Sequence, residues 1–263
     1  ASLAYTDYMH NEAEFFESGE VEIGTVYSNE GYEGRVELKR RATGAWSGAY
    51  GLQFTDTEFS AVGEEAFIPL SDIRNIGVFG FEQYKADRYT VELGLRVDSN
   101  EVSTGRCEAS GTEFSASGSV LYDLSDQSNI FAGYTRASRT PGTEELFANV
   151  DNTTCAEVAD PEDLVLHAAT NLLEIGDPTL GTETSNNFEI GYRFFSGNMT
   201  AEVSAYANRF NDYIFLNLTG EEFEEQLIAR STARDADFTG VEARFNLNVY
   251  DSDSFGVNWS VFG

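Results

Sequence analysis

Between Tyr89 and Asp98 the chain alternates without a break: Tyr89, Val91, Leu93, Leu95 and Val97 are apolar, and Thr90, Glu92, Gly94, Arg96 and Asp98 separate them. A strict period of two specifies a β-strand whose two faces meet unlike surroundings. The pattern returns at Tyr50, Leu52 and Phe54, at Phe114, Ala116, Val120 and Tyr122, and at Phe188, Ile190, Tyr192 and Phe194. It appears again at Val241, Ala243, Phe245, Leu247 and Val249, and at Phe255, Val257, Trp259 and Val261. Read this way, the chain predicts about eleven strands, at 1–14, 21–38, 46–58, 70–84, 88–99, 112–124, 128–140, 185–196, 198–218, 225–250 and 254–263.

Alternation alone fits two architectures. A β-sandwich turns its apolar faces inward and its polar faces to water. A membrane barrel turns its apolar face to lipid and its polar face to a wet lumen. The connections separate the two. Those at 39–45, 85–87, 125–127 and 197 are short and rich in turn residues, whereas 59–69 and 100–111 are longer and 141–184 is very long. Short turns at one end and long loops at the other characterise outer-membrane barrels. Structureless connections beyond about 12–15 residues are uncommon in compact domains unless functional. The reading is therefore all-β, a transmembrane antiparallel barrel. Tyr84 and Tyr89, and Tyr192, Phe194 and Phe195, stand at strand ends where interfacial aromatics belong, although aromatics are common in any strand.

No apolar run approaches the roughly 18 residues of a membrane helix. The charge balance of 16 − 45 = −29 excludes nucleic acid as a partner, because phosphate backbones are held by clustered Lys and Arg. Acidic loops draw cations toward a mouth and repel anions. Adaptation to salty water gives the same composition. Ala1 to Tyr8 carry no export pattern and read at once as strand, and the last residues stop mid-pattern. The chain reads as an internal piece of a longer protein.

The two cysteines test the topology. Cys107 falls in the 100–111 connection and Cys155 in the 141–184 loop, with one short turn between those loops. Both lie at the same outer end, and a Cys107–Cys155 disulfide follows if their Cα atoms approach within about 7 Å in an oxidising compartment.

Four ordered blocks resemble a known family. The run from Glu174 through Asp177-Pro178, Glu183 and Asn187 to Arg193 resembles the segment entering a late barrel strand of TonB-dependent outer-membrane receptors. Phe131 to Pro141 followed by Glu144-Glu-Leu-Phe147, then Tyr206 to Ile214, then Phe238 to Ala243, are similar to further blocks of that family. Within it, Tyr27–Leu38, Phe59–Phe67 and His167–Thr170 ahead of Glu174 most resemble zinc-uptake receptors. The resemblance implies a barrel of about 22 strands, of which this chain supplies half. It also implies a plug domain outside this chain, contact with TonB through a missing N-terminal region, outer-membrane lipid around the wall, and a small nutrient or metal as cargo. Zinc would be transported ligand and not a resident cofactor.

His167, Glu174 and Asp177 in the longest loop, and Glu64 and Glu65 in another outer loop, are the candidate metal or substrate residues. Their nitrogen and oxygen donors suit Zn²⁺, which prefers four tetrahedral positions. The competing reading of His167 is a surface residue on a helix over 161–175, which opens with Pro161 and acids as helices do. His10 is a weaker candidate, near the end of the first strand. Hydrolase, phosphate-loop and metalloprotease motifs are absent from the sequence, so no enzymatic activity is expected. The rival functions are a passive porin and a soluble, acidic, secreted β-sandwich that binds a partner.

Overall fold

The computed structural model describes residues 1–15, 18–19, 21–158, 160–251 and 256–263. In chain order the elements are β1 (Ser2–Phe15), β2 (Val21–Thr43), β3 (Trp46–Val62), β4 (Ser71–Lys85), β5 (Tyr89–Thr104), β6 (Cys107–Ser125) and β7 (Ser128–Arg139). A long loop follows, holding α1 (Thr143–Phe147), β8 (Val150–Asp151), β9 (Ala156–Glu157), a 3-10 turn (Pro161–Asp163) and β10 (Leu172–Ile175). The wall then resumes with β11 (Glu183–Ser196), β12 (Met199–Phe223), β13 (Gln226–Asp251) and β14 (Gly256–Phe262). Positions 254–255 of the last expected strand lie outside the described residues.

Each long strand pairs antiparallel with the next, and β11 takes the place beside β7. The sheet is not closed into a ring by this chain. Among the described residues no helix is long and apolar enough to cross a membrane, which says nothing against crossing by strands.

The register decides which architecture the alternation means. Val36, Leu52, Val78, Val97 and Phe114 are paired in one row across β2 to β6. They are 50%, 45%, 58%, 44% and 48% exposed, so no second layer covers them. One residue along, the paired row is Arg35, Gln53, Gly77, Asp98 and Glu113, on the opposite face. Here the side chains bond to each other. Arg96 donates to both oxygens of Asp98 at 2.6 and 2.5 Å, and Asn75 donates to Asp98 at 3.1 Å. Arg35 donates to Gln53 at 3.3 Å and to Glu37 at 2.9 Å, with its guanidinium 4.2 Å above the Phe79 ring. Gly77 belongs to this row because a Cβ there would stand 2.3 Å from the Arg96 guanidinium. An open apolar face backed by a bonded polar face is the inverse of a sandwich and the arrangement of a membrane barrel. At the short-turn end, Trp46 and Tyr84 lie 5.0 Å apart, Tyr84 and Tyr89 lie 5.9 Å apart, and Tyr89 pairs with Tyr122, forming an interfacial aromatic belt.

Several boundaries differ from the sequence reading. The 100–111 connection is not a loop. β5 and β6 continue paired to Thr104 and Cys107 around Gly105-Arg106, with Gly105 at φ +53°. The 59–69 excursion shrinks to 63–70, and β12 and β13 close at Glu224-Glu225, both at positive φ. Above the membrane a strand has no lipid to face, so alternation fades while backbone pairing persists. The helix over 161–175 is also absent: one 3-10 turn is followed by extended chain and β10. Leu164 and Leu166 pack with Leu173, Ile175 and Ile228, and an extended strand aims these alternate residues at one surface.

The long loop is folded onto the wall. Leu146 and Phe147 of α1 are fully buried with Val102, Cys107 and Val150. Cys107 and Cys155 form the disulfide, with Cα atoms 5.4 Å apart. Arg139 donates to Glu145 at 2.8 and 2.9 Å and to Glu183 at 3.2 and 3.1 Å. β10 adds in parallel to β13, pairing Leu172–Ile175 with Leu227–Arg230, and Arg230 pairs with Glu157. Gly176 must lack a side chain, since a Cβ would meet the Leu146 backbone at 2.6 Å.

Leu95 lies six residues above Tyr89, about 15 Å up a tilted strand and so near mid-bilayer. Leu95→Arg should cost about 2–4 kcal/mol in the urea unfolding of the full-length protein in lipid vesicles. Ser117→Asn on the inner face should stay within about 0.5 kcal/mol. Equal costs at both positions would contradict the assignment of faces.

Candidate functional site

Three ligand-type side chains meet within the long loop at the outer end of the wall. Glu144 comes from the first turn of α1, His167 from the turn before β10, and Glu174 from β10 itself. Their donor atoms all lie within 4.8 Å of one another. His167 Nδ1 is 3.0 Å from Glu174 Oε1, and the Thr170 hydroxyl donates to the same oxygen at 2.5 Å. The Phe67 ring, from the β3–β4 loop, packs 4.4 Å from the imidazole. A backbone bridge between His167 and Leu172 holds the turn closed, with Asn171 at φ +57°.

Burial is graded across the cluster. Glu174 is 3% exposed, His167 is half-buried and Glu144 stands at the open side. Crowding by protein pushes the Glu144 pKa up, and the Glu174 carboxylate adds to it while His167 works against it. A carboxyl whose charge is disfavoured in this way gains from a proton or a metal ion beside it.

The donor set fits a metal. Tetrahedral ligands at about 2.0–2.2 Å from Zn²⁺ sit roughly 3.3 Å apart, so closing on an ion requires a contraction of at most about 1.5 Å. Three protein donors would leave a fourth tetrahedral position to be filled.

The other candidates are placed differently. Asp177 caps a turn, accepting from the Thr179 amide at 2.8 Å and its hydroxyl at 2.6 Å, and does not join the cluster. Glu64 is exposed at the β3–β4 turn. Glu65 lies over Gly24, where a Cβ would collide with its carboxylate, and it shares the neighbourhood of Tyr27 with Glu144 and Glu12. His10 stacks on Tyr27 at 4.8 Å, so both histidines border the same mouth. Glu144 joins the cluster although sequence reasoning did not select it. The signal for it was the apolar pair Leu146-Phe147, whose burial fixes the helix that carries it.

An inverted sheet with a long loop folded onto its outer end matches a known architecture. The family described as TonB dependent receptor-like, beta-barrel matches residues 2–263. The chain belongs to that family. Its members are bacterial outer-membrane proteins, and the exposed apolar rows place this wall in that membrane. A rhizobactin receptor of Rhizobium meliloti (strain 1021) is 25% identical over 223 residues, covering 76% of this chain and 28% of that protein. The copper transporter OprC shares the fold with a TM-score of 0.67 at 18% identity, over 86% of this chain and 36% of its own. The ferric enterobactin receptor PfeA of Pseudomonas aeruginosa does so with a TM-score of 0.64 at 16% identity, over 98% and 39%. This receptor wall thus spans between 28% and 39% of the length of these relatives, which are named as receptors and transporters.

The raised Glu144 pKa makes a signed prediction. A carboxyl whose folded pKa exceeds its unfolded value favours the fold at low pH, and that contribution is lost as pH rises through the folded value. Glu144→Gln should therefore raise the thermal midpoint of the metal-free full-length protein at pH 7. The gain should vanish below about pH 4, where the carboxyl is protonated folded or unfolded. A lower midpoint at pH 7 would contradict it.

Proposed function

We propose that the intact protein is an outer-membrane receptor that takes up a scarce nutrient with energy relayed by TonB, and that its cargo is a divalent metal ion, zinc being the best fit, bare or chelated. The observation that carries this reading is the Glu144–His167–Glu174 cluster: nitrogen and oxygen donors from two loop segments, gathered at the mouth of the barrel. Such a set suits Zn²⁺. The surrounding acidity concentrates cations at that mouth. The plug and the TonB-contacting segment belong, on this reading, to the rest of the protein, and a plug residue or the chelate itself fills the open fourth position. Cargo is bound and released unchanged, with no covalent chemistry. A passive porin needs no such cluster above its lumen, and a soluble sandwich would not leave its apolar rows uncovered.

Metal binding by the purified full-length receptor tests the reading. Wild type should retain close to one equivalent of Zn²⁺ through gel filtration, and His167→Ala and Glu174→Gln should each weaken binding at least about tenfold. Equal retention by wild type and both variants would remove these residues from the site.

A further inference from the structure

Asn149 carries no charge and none of the cluster's donor atoms, yet each segment of the cluster leads to it. It follows α1 directly, five residues after Glu144. Its backbone is left-handed at φ +48°, a conformation asparagine tolerates better than most residues, and it is 5% exposed. Its side-chain amide donates to the Val165 carbonyl and to the Glu174 carbonyl, both at 2.8 Å, and its side-chain oxygen accepts from the Val165 amide at 2.8 Å. Its own N–H donates to the Phe67 carbonyl at 2.7 Å, and its carbonyl accepts from the Val158 amide at 3.3 Å.

These bonds reach the segments that carry His167 and Glu174, and the chain itself ties Asn149 to Glu144. Val165 lies two residues before His167, Glu174 is itself a donor residue, and Phe67 is the ring against the imidazole. Facing Val165, the side chain acts as a peptide group, giving and taking one hydrogen bond as a neighbouring strand would. Facing Glu174, it fixes the backbone from which the carboxylate projects. A buried amide with both donors and its oxygen engaged resists displacement, because any shift leaves polar groups unpaired in a dry setting.

We infer that Asn149 is the positioning residue of the metal site: it sets the spacing between Glu144, His167 and Glu174 and so governs how tightly, and in what geometry, they close on an ion. This rests on the metal-uptake reading above. The rival role is glue for the loop, with no bearing on the ion.

Cobalt binding by the full-length receptor separates the two. Co²⁺ is a spectroscopic substitute for Zn²⁺ whose visible bands are far stronger in tetrahedral than in octahedral sites. Asn149→Asp keeps the size of the side chain and its acceptor toward Val165, but loses both donations and sets a carboxylate against two carbonyls. Asn149→Gly keeps the backbone and deletes the amide. Val150→Ala is the control: it thins the core beside Cys107, Leu146 and Phe147 without touching a donor segment's hydrogen bonds. Affinity, band intensity and hydrogen-exchange protection of the long loop are measured on all four proteins.

Positioning predicts that both Asn149 variants lose about tenfold or more in affinity, the usual cost of removing an outer support of a metal ligand, and change band intensity. Val150→Ala loses protection but keeps the wild-type spectrum. Wild-type affinity and spectrum in the Asn149 variants overturn the inference. So does an affinity that merely follows protection across all variants, Val150→Ala included. A wild-type receptor that binds no cobalt and no zinc is a different failure, which removes the metal reading itself.

Discussion

A backbone that crosses hydrocarbon can satisfy its N–H and C=O groups only on neighbouring strands. Most of this structure follows from that requirement. It forces continuous strand pairing along the wall, so connections are confined to the two ends and each wall strand takes the next wall strand in the chain as its neighbour, β11 following β7. Because side chains alternate, a wall wetted on one side and greased on the other must keep a single register. A one-residue slip would turn Arg35, Arg96 and Asp98 to lipid and Val36, Val78 and Val97 to water. The polar row of Arg35, Gln53, Asp98 and Asn75 is therefore more than lumen lining, since its mutual hydrogen bonds reward one register only.

Freed from the membrane, the chain between β7 and β11 obeys other rules. It has its own small cores, around Phe147 and Cys107, around Phe67 and Ala148, and around Leu173 and Ile228. It is tied down by a disulfide, by Arg139 at its root and by β10 on the edge of β13. These ties differ in chemistry and are spread along the loop, so no single opening frees it. That rigidity suits a site assembled from separate segments, because ordering donors beforehand spares a binding ion the entropy of gathering them.

The wall was legible in the sequence and much of the loop was not. Tyr89 to Asp98 could be read as a strand because lipid and lumen impose opposite demands on adjacent residues. Beyond the membrane those demands lapse, and Asn100 to Ser110 gave no sign that they pair to the turn at Gly105. Of the long outer connections, 100–111 is paired strand and 59–69 is largely so at its start, and only 141–184 is a long loop throughout. The exposure of the apolar rows decides the matter, and exposure is not written in a sequence. The Cys107–Cys155 pairing was readable because it needed topology alone. Residue type alone could not say that His167 and Glu174 lie together while Asp177 and Glu64, of the same type, lie apart. Asn149 gave no signal, since its role is set by contacts 16 and 25 residues away.

If the cargo is a metal ion, as proposed above, the donor set also restricts which one. Soft thiolate ligands would select Cu(I), but both cysteines are consumed by the disulfide. What remains is one imidazole and two carboxylates, a borderline-to-hard set. Zn²⁺, Fe²⁺ and Cu²⁺ all accept such donors, and affinity alone would rank Cu²⁺ above its neighbours. Discrimination must then come from geometry. Zn²⁺ has no electronic preference against a tetrahedral site, whereas Cu²⁺ favours tetragonal ones. A loop held rigid by cross-links can enforce that difference, and a loose one would yield to the stronger binder.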